Sequence, residues 1–348
     1  MPSGAADPGA DRRITVLGEL VVDLLPDPSG DAGPEGTAPR YIARPGGNAL
    51  NAAVTAGRLG APVELRARLG TGPLAVHLRR HAELSGVDVS RVVPAHEPVS
   101  LAVVGLRGDG SPDYGFHVLG AADWQWTDAE LADVVPETTA ILHIGSISSW
   151  TAPGSEAIAG LTERLHAAGT LISVDPNIRP MLAEGPVGTS LGNDRDAVRA
   201  RLYRLLAVAD IVKVSTEDLA WLEPEQLHDP AALDDAAQRW AQGGAALTLL
   251  TDGARPLRVA RPGRPVQRFR PRPVVVADTV GAGDSLAAGL VTGLLERGVT
   301  TRRQLEGMDD AMLTAVLEDA LLVAALTCTR TGADPPTAAE LAAARDLR

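Results

Sequence analysis

Short apolar runs alternate along the chain with stretches whose apolar residues recur every three or four positions. The aliphatic and β-branched runs predict strands at 14–22, 63–69, 139–144, 170–174, 211–214 and 246–250. Helical periodicity fills the gaps at 48–59, 74–84, 155–168, 194–207 and 230–241, and continues at 284–297 and 311–326. Strands that alternate with helices build a mostly parallel sheet covered on both faces, so the expected class is α/β.

Two segments break this rhythm. Residues 26–39 are rich in Pro, Gly, Asp and Ser and read as a loop or turn region. Residues 100–107 and 114–119 are β-like runs joined by Gly-Asp-Gly-Ser-Pro-Asp, the pattern of a hairpin. A hairpin within an α/β chain reads as a small flap beside the strand ends, where such folds bind ligands. A second hairpin, at 255–269, reads as an edge elaboration.

Composition narrows the class further. With 348 residues, 45% hydrophobic and 22% charged, the chain is long enough for a full core and is neither disordered nor fibrous. Its net charge of −12 argues against nucleic acid or an anionic membrane as partner. Lys213 is the sole lysine and stands in Ile-Val-Lys-Val, so no Gly-Lys-Ser/Thr phosphate loop exists. Cys328 is the sole cysteine, which leaves no internal disulfide or zinc cluster. Residues 1–13 lack an apolar run, and no stretch reaches the ~20 residues of a membrane helix. A cytoplasmic protein with no membrane partner is expected.

The most informative segment is Ala277-Asp-Thr-Val-Gly-Ala-Gly-Asp284, which opens a helix. Gly281 and Gly283 let the backbone turn tightly, and the helix start points unpaired N–H groups at one spot, an anion site made without lysine. A carboxylate at the mouth of such a site repels the anion. Asp284 therefore either caps the helix or takes a proton from a hydroxyl that attacks the anion. In Arg44-Pro-Gly-Gly-Asn-Ala-Leu-Asn51, the three-residue spacing of Asn48 and Asn51 sets both amides on one helix face. Paired amides suit a polyol, although Asn48 alone also reads as an N-cap. Asp23 ends the first predicted strand and either caps a turn or accepts ligand hydroxyls.

These segments together resemble the ribokinase-like (PfkB) carbohydrate kinases over nearly the whole chain, with the Gly-Gly-Asn…Asn signature early and Asp-Thr-Val-Gly-Ala-Gly-Asp late. The resemblance implies a single three-layer α/β/α domain over 12–335, with a mostly parallel sheet, a small β-sheet lid formed by excursions at about 23–45 and 98–120, and tails at 1–11 and 336–348. It implies transfer of a phosphoryl group from MgATP to a sugar hydroxymethyl group. Asp284 then matches the catalytic base, and the N–H groups of Gly281, Ala282 and Gly283 match the anion hole. Asp23, Gly47, Asn48 and Asn51 fall on sugar-binding positions; Ser215, Asp218, Thr251 and Gly253 fall on nucleotide-binding ones. Arg330-Thr-Gly-Ala333 matches a segment beside the nucleotide, and Asp278 and Val280 match a monovalent cation site that implies K+. Relatives often dimerise through the lid, so a homodimer is expected.

Asp175-Pro-Asn-Ile-Arg179 and Ala121-Ala-Asp-Trp124 narrow the resemblance to fructokinase-like members, with Arg179 near the substrate or phosphates. Three positions depart from the pattern. Ser215-Thr-Glu-Asp218 replaces Asn-x-x-Glu, Pro256 replaces a glycine of the nucleotide loop, and Gly72 replaces an acid.

Within the family, ribose, a nucleoside or a 2-keto-3-deoxy sugar acid are rival substrates. Aromatic content of 3% disfavours a stacked purine, whereas Arg44 or Arg107 could meet an acid. A non-catalytic sugar- or nucleotide-binding regulator on the same fold is the alternative of another class. Gly70-Thr-Gly-Pro-Leu-Ala75 also spells a dinucleotide-binding fingerprint, with Asp88 as its ribose acid.

Overall fold

In the computed structural model, the described residues are 12–27, 40–106, 112–224 and 230–346. Most of the 26–39 loop, the turn of the first hairpin with Arg107, and residues 1–11 lie outside them.

The main sheet contains eight of the described strands. They are β1 (Arg13–Leu17), β4 (Val63–Arg66), β9 (Thr139–Gly145), β10 (Leu171–Asp175), β11 (Ile211–Ser215), β12 (Leu247–Thr251), β13 (Leu257–Ala260) and β14 (Gln267–Phe269). Their order is β14-β13-β12-β11-β10-β9-β1-β4. All are parallel except β13 and β14, the antiparallel hairpin expected at the edge. A second sheet, in the order β3-β2-β7-β8, is built from β2 (Val21–Pro26), β3 (Tyr41–Gly46), β7 (Ser100–Leu106) and β8 (Pro112–His117). This is the lid. Two short strands, β5 (Arg68–Leu69) and β6 (Val93–Pro94), pair only with each other.

The first half of the chain carries α1 (Asn48–Arg58), α2 (Pro73–Leu84), α3 (Asp128–Leu131), α4 (Ser146–Trp150), α5 (Gly154–Ala167), α6 (Pro180–Ala183) and α7 (Gly185–Ser190). The second half carries α8 (Arg195–Leu206), α9 (Thr216–Leu222), α10 (Pro230–Gln242), α11 (Ala282–Glu296), α12 (Arg302–Glu306), α13 (Asp310–Thr327) and α14 (Ala338–Asp346). One apolar cluster packs α1, α2, α11 and α13 on the sheet, and another packs α5 and α10. The sheet is thus buried by helices, as its continuous apolar strands require.

Three expectations change. The run 14–22 is two strands, because the chain leaves the main sheet at Gly18 and enters the lid at Val21. Asp23 is therefore a mid-strand lid residue and does not end a sheet strand. Residues 63–69 likewise divide between β4 and β5. The 336–348 stretch, expected as a tail, carries α14, whose Leu341 is buried in a cluster with Leu59 and Val323.

The order of connection reverses at β1, which has β4 on one side and β9 on the other. Open α/β sheets bind ligands at such a switch point, beyond the C-terminal strand ends. Two residues there, Ser146 after β9 and Asn177 after β10, hold φ values of 57° and 42°. Non-glycine residues in this region store strain and cluster at functional sites.

Candidate active site

A cavity of about 530 Å³ opens at the switch point, between the strand ends and the lid. The lid roofs it with Asp23, Leu25, Arg44, Ala102, Val104 and Phe116, while Glu19, Asn48, Asn51, Asn177, Arg179, Gly281 and Asp284 line the body side.

Asp284 lies in the first turn of α11 and is 7% exposed. It does not cap that helix: Gly281 is the N-cap, and no side chain bonds there. Its carboxylate instead accepts hydrogen bonds from three amides. Asn48 Nδ2 lies 2.8 Å and Asn177 Nδ2 3.3 Å from Oδ1, and Asn51 Nδ2 lies 2.8 Å from Oδ2. Asn48 is likewise no cap, because α1 starts from Gly47. Amide donors on both oxygens fix the orientation of this carboxylate, and a fixed orientation is what a general base needs.

Gly281 explains why the loop has its sequence. Its φ is 75°, and a Cβ there would come within 2.6 Å of the Ala333 Cβ. No side chain caps the 15-residue α11; the Ala282 N–H donates to the Thr279 carbonyl at 3.3 Å, and the N–H groups that follow it start the helix beside Asp284. Asp278 holds this loop against the C-terminal segment, since its carboxylate accepts from Val280 N (3.1 Å) and Gly332 N (2.8 Å). Val280, Gly332 and Ala333 all line the cavity.

Behind the base runs a buried polar chain. Asn48 Nδ2 also reaches Asp175 Oδ2 at 3.3 Å, and both Asp175 oxygens accept from Lys213 Nζ at 3.1 and 3.2 Å. Burial pushes the Asp175 carboxyl up to about 6, with Lys213 opposing and Asp218 and Asp284 adding to the rise. Burial also pulls Lys213 down, but Asp175, Asp218 and Asp284 outweigh it and hold the ammonium above its ordinary value. At neutral pH the pair is ionised. Lys213 Nζ would also lie 2.8 Å from a Cβ on Gly283, so positive charge sits directly under the turn that opens α11.

The lid contributes Asp23, whose register partner across β2 and β3 is Arg44. Burial raises the Asp23 carboxyl to about 6, the Arg179 charge lowers it, and Asp284 and Asp278 raise it. Arg179 itself is exposed, with one 3.4 Å hydrogen bond to the Ile178 carbonyl. Gly47, at φ 101°, fits because a Cβ would meet the Glu19 carbonyl at 2.6 Å.

The remaining expected residues lie outside the lining of this cavity. Ser215 and Thr251 are register partners at the ends of β11 and β12, and Gly253 follows at φ 54°. Ser215 caps α9, and its N–H and hydroxyl donate to Asp218 Oδ2 at 3.0 and 2.7 Å. Asp218 Oδ1 accepts from Ile178 N at 2.7 Å, so this carboxylate braces the Asp175–Arg179 loop. The dinucleotide fingerprint follows β5, which is not a strand of the main sheet, and Asp88 pairs with Arg13.

Sequence reasoning missed Asp175, Asn177, Lys213 and Glu19 as parts of the site. A signal existed for Lys213, because a lone lysine inside an apolar strand must have a buried partner. Asp175 and Asn177 stood in a segment singled out only for Arg179.

A buried carboxylate beside a helix N-terminus that no side chain caps, roofed by a small β sheet, is an arrangement suited to phosphoryl transfer to a hydroxyl. A family model described as pfkB family carbohydrate kinase matches residues 11–340, and the chain belongs to that family. It is similar to a fructokinase of Rhizobium leguminosarum bv. trifolii, at 34% identity over 300 residues covering 86% of this chain and 85% of the relative. It is also similar to the crystal structure of Xylella fastidiosa fructokinase with bound ATP, at TM-score 0.83 and 27% identity, covering 96% and 98% of the two chains. A Vibrio cholerae O395 fructokinase double mutant in fructose-, ADP- and potassium-bound form matches at TM-score 0.77 and 25% identity, covering 96% and 98%. The fold is ribokinase-like, and the chain is an ATP-dependent sugar kinase of fructokinase-like type.

Proposed function

We propose that the chain phosphorylates fructose on a hydroxymethyl group. The observation that carries this is Asp284, held by three amides at the start of α11 and facing the lid cavity. The substrate choice is supported by similarity to proteins named fructokinase.

In the reaction, Asp284 accepts the hydroxyl proton as the sugar oxygen bonds to the γ-phosphorus of ATP. The bond from that phosphorus to the β,γ-bridging oxygen breaks, and ADP leaves with its electron pair. The N–H groups of Gly281, Ala282 and Gly283 stabilise the charge on the transferring phosphoryl oxygens, with Lys213 beneath them. Asn48 and Asn51 orient both the base and the sugar, and Gly47 and Asp23 complete the sugar pocket. Arg179 faces the anionic end. Closure of the lid excludes water and so limits wasteful ATP hydrolysis.

Ser215, Asp218, Thr251 and Gly253 belong to the nucleotide side in this reading, at adjoining strand ends. Among the described residues no cluster of three His, Cys, Asp or Glu could hold a metal ion. Mg2+ would enter with the nucleotide and would supply charge neutralisation to its phosphates, with Asp218 as the acidic residue on the nucleotide side. The loop around Asp278 and Val280 is the proposed seat of K+. The domain is read as 12–335, with α14 packed on it. A cytoplasmic location goes with the supply of MgATP; among the described residues no helix is long and apolar enough to cross a membrane. A homodimer through the lid is part of the reading, because β3 and β8 are edge strands.

The test is ADP release from MgATP with K+ present, across fructose, ribose, 2-keto-3-deoxygluconate, adenosine and a blank. Fructose should give the highest kcat/KM, by roughly tenfold or more, since pockets that hydrogen-bond substrate hydroxyls discriminate strongly. A different winner would replace fructose, and no sugar-dependent release would overturn the reading.

A further inference from the structure

The structure assigns to Asp123 a positioning role: this carboxylate seats the lid over the sugar cavity. The chain passes between body and lid four times, through 18–20 into β2, through Gly46 and Gly47 out of β3, through 99–100 into β7, and through 118–122 out of β8. Asp123 meets three of these crossings. Its Oδ1 accepts from Leu20 N at 2.9 Å, one residue before β2. Its Oδ2 accepts from Ser100 Oγ at 2.6 Å, on the first residue of β7. Asp123 itself lies in the 3-10 turn that receives the chain from β8.

The two tethered strands carry the lid's cavity residues Val21, Asp23 and Leu25 on β2, and Ala102 and Val104 on β7. They are neighbours, with Val21 opposite Ser100 in the lid register. One carboxylate therefore fixes where both strands leave the body. The turn that bears Asp123 is anchored on the body side, by Arg68 Nε on the Ala122 carbonyl (3.2 Å) and by burial of Trp124. The tether is firm at its root and reaches toward the moving part.

Asp123 is 2% exposed and makes no ion pair among the described residues. An unpaired buried carboxylate is costly to keep, and here its two oxygens are used wholly on lid entry points. Glu19 lies beside it, buried, lining the cavity and accepting from Ser148 N and Oγ at 3.1 and 3.0 Å. The hinge thus adjoins the sugar pocket directly.

The experiment compares full-length Asp123→Ala and Asp123→Asn with the parent chain. Hydrogen exchange without ligands reads the lid, and steady-state kinetics read its use; only the kinetic arm rests on the sugar-kinase reading. In Asp123→Ala, amides of β2 and β7 should exchange roughly tenfold faster while those of β10 and β11 stay unchanged. KM for fructose should rise roughly tenfold with KM for ATP within about twofold, as expected when both hydrogen bonds of Asp123 at the hinge are lost. Asp123→Asn keeps an oxygen for Leu20 N and turns its NH₂ on the Ser100 hydroxyl, so both readouts should return toward the parent. Unchanged lid exchange, or equal acceleration in β10 and β11, overturns the assignment. A parent chain inactive on fructose would sink the proposed substrate while the exchange arm still decided the role of Asp123.

Discussion

Asn48 and Asn51 stand three positions apart, and in α1 that spacing brings both amides onto one carboxylate, Asp284. The facing amides were legible in the sequence because helical geometry alone dictates them. That their partner would be an acid 236 residues away was not, because only the tertiary fold supplies it. Lys213 was legible as an oddity but not as a part, since its partner Asp175 lies on the neighbouring strand β10. Replacing Lys213 with Met removes the charge that opposes protonation of the buried Asp175 and leaves its carboxyl without its ion-pair partner, which should cost about 3–5 kcal/mol. Urea unfolding should show this loss, and the double variant Lys213→Met/Asp175→Asn should recover most of it. A single variant as stable as the double would contradict the pairing.

At the scale of elements, α11 matters most, because the proposed reaction takes both its anion site and its base from this helix's first turn. Its start was readable from Gly-Ala-Gly-Asp, whose first glycine, Gly281, satisfies a positive φ and the close approach of Ala333. Gly281→Ala should retain the fold and lower kcat roughly 100-fold, the scale of damage to an anion hole. Turnover near that of the parent would show that these N–H groups do not meet the phosphoryl group. Most strands of the main sheet were equally readable, from their largely apolar runs. The β1–β2 boundary was not, because residues 14–22 form one largely apolar run interrupted only by Thr15, Gly18 and Glu19. The break is made from afar, where Asp123 captures Leu20 N across 103 residues. Local pattern holds no record of such a contact.

At the scale of the whole molecule, buried and surface carboxylates pull stability in opposite directions with pH. Burial lifts Asp123 to about 7 and Asp23 and Asp175 to about 6, from an ordinary 3.8, and raises Glu19 as well. Groups with raised values contribute stability that is full below about pH 4 and is lost as pH rises through about 6 to 7. Surface acids run the other way. The Arg204 hydrogen bond lowers Glu163, and backbone N–H donors lower Asp88 and Glu340, so their contribution is lost as pH falls below the usual carboxylate range. The melting temperature should therefore be higher by about 5 °C near pH 5 than near pH 8. Asp123→Asn should narrow that difference, and a melting temperature rising steadily from pH 5 to 8 would contradict the buried-acid account.

In the proposed reaction a single carboxylate carries the chemistry, and the lid, the start of α11 and the polar chain through Lys213 all serve it. The most direct measurement is therefore a paired one on Asp284→Asn: fructose binding by calorimetry without nucleotide, and fructose-dependent ADP release. Fructose should bind within roughly tenfold of the parent affinity, while kcat should fall by at least about 10³-fold, the scale of general-base and positioning losses combined. Turnover close to that of the parent chain would show that Asp284 is not the base.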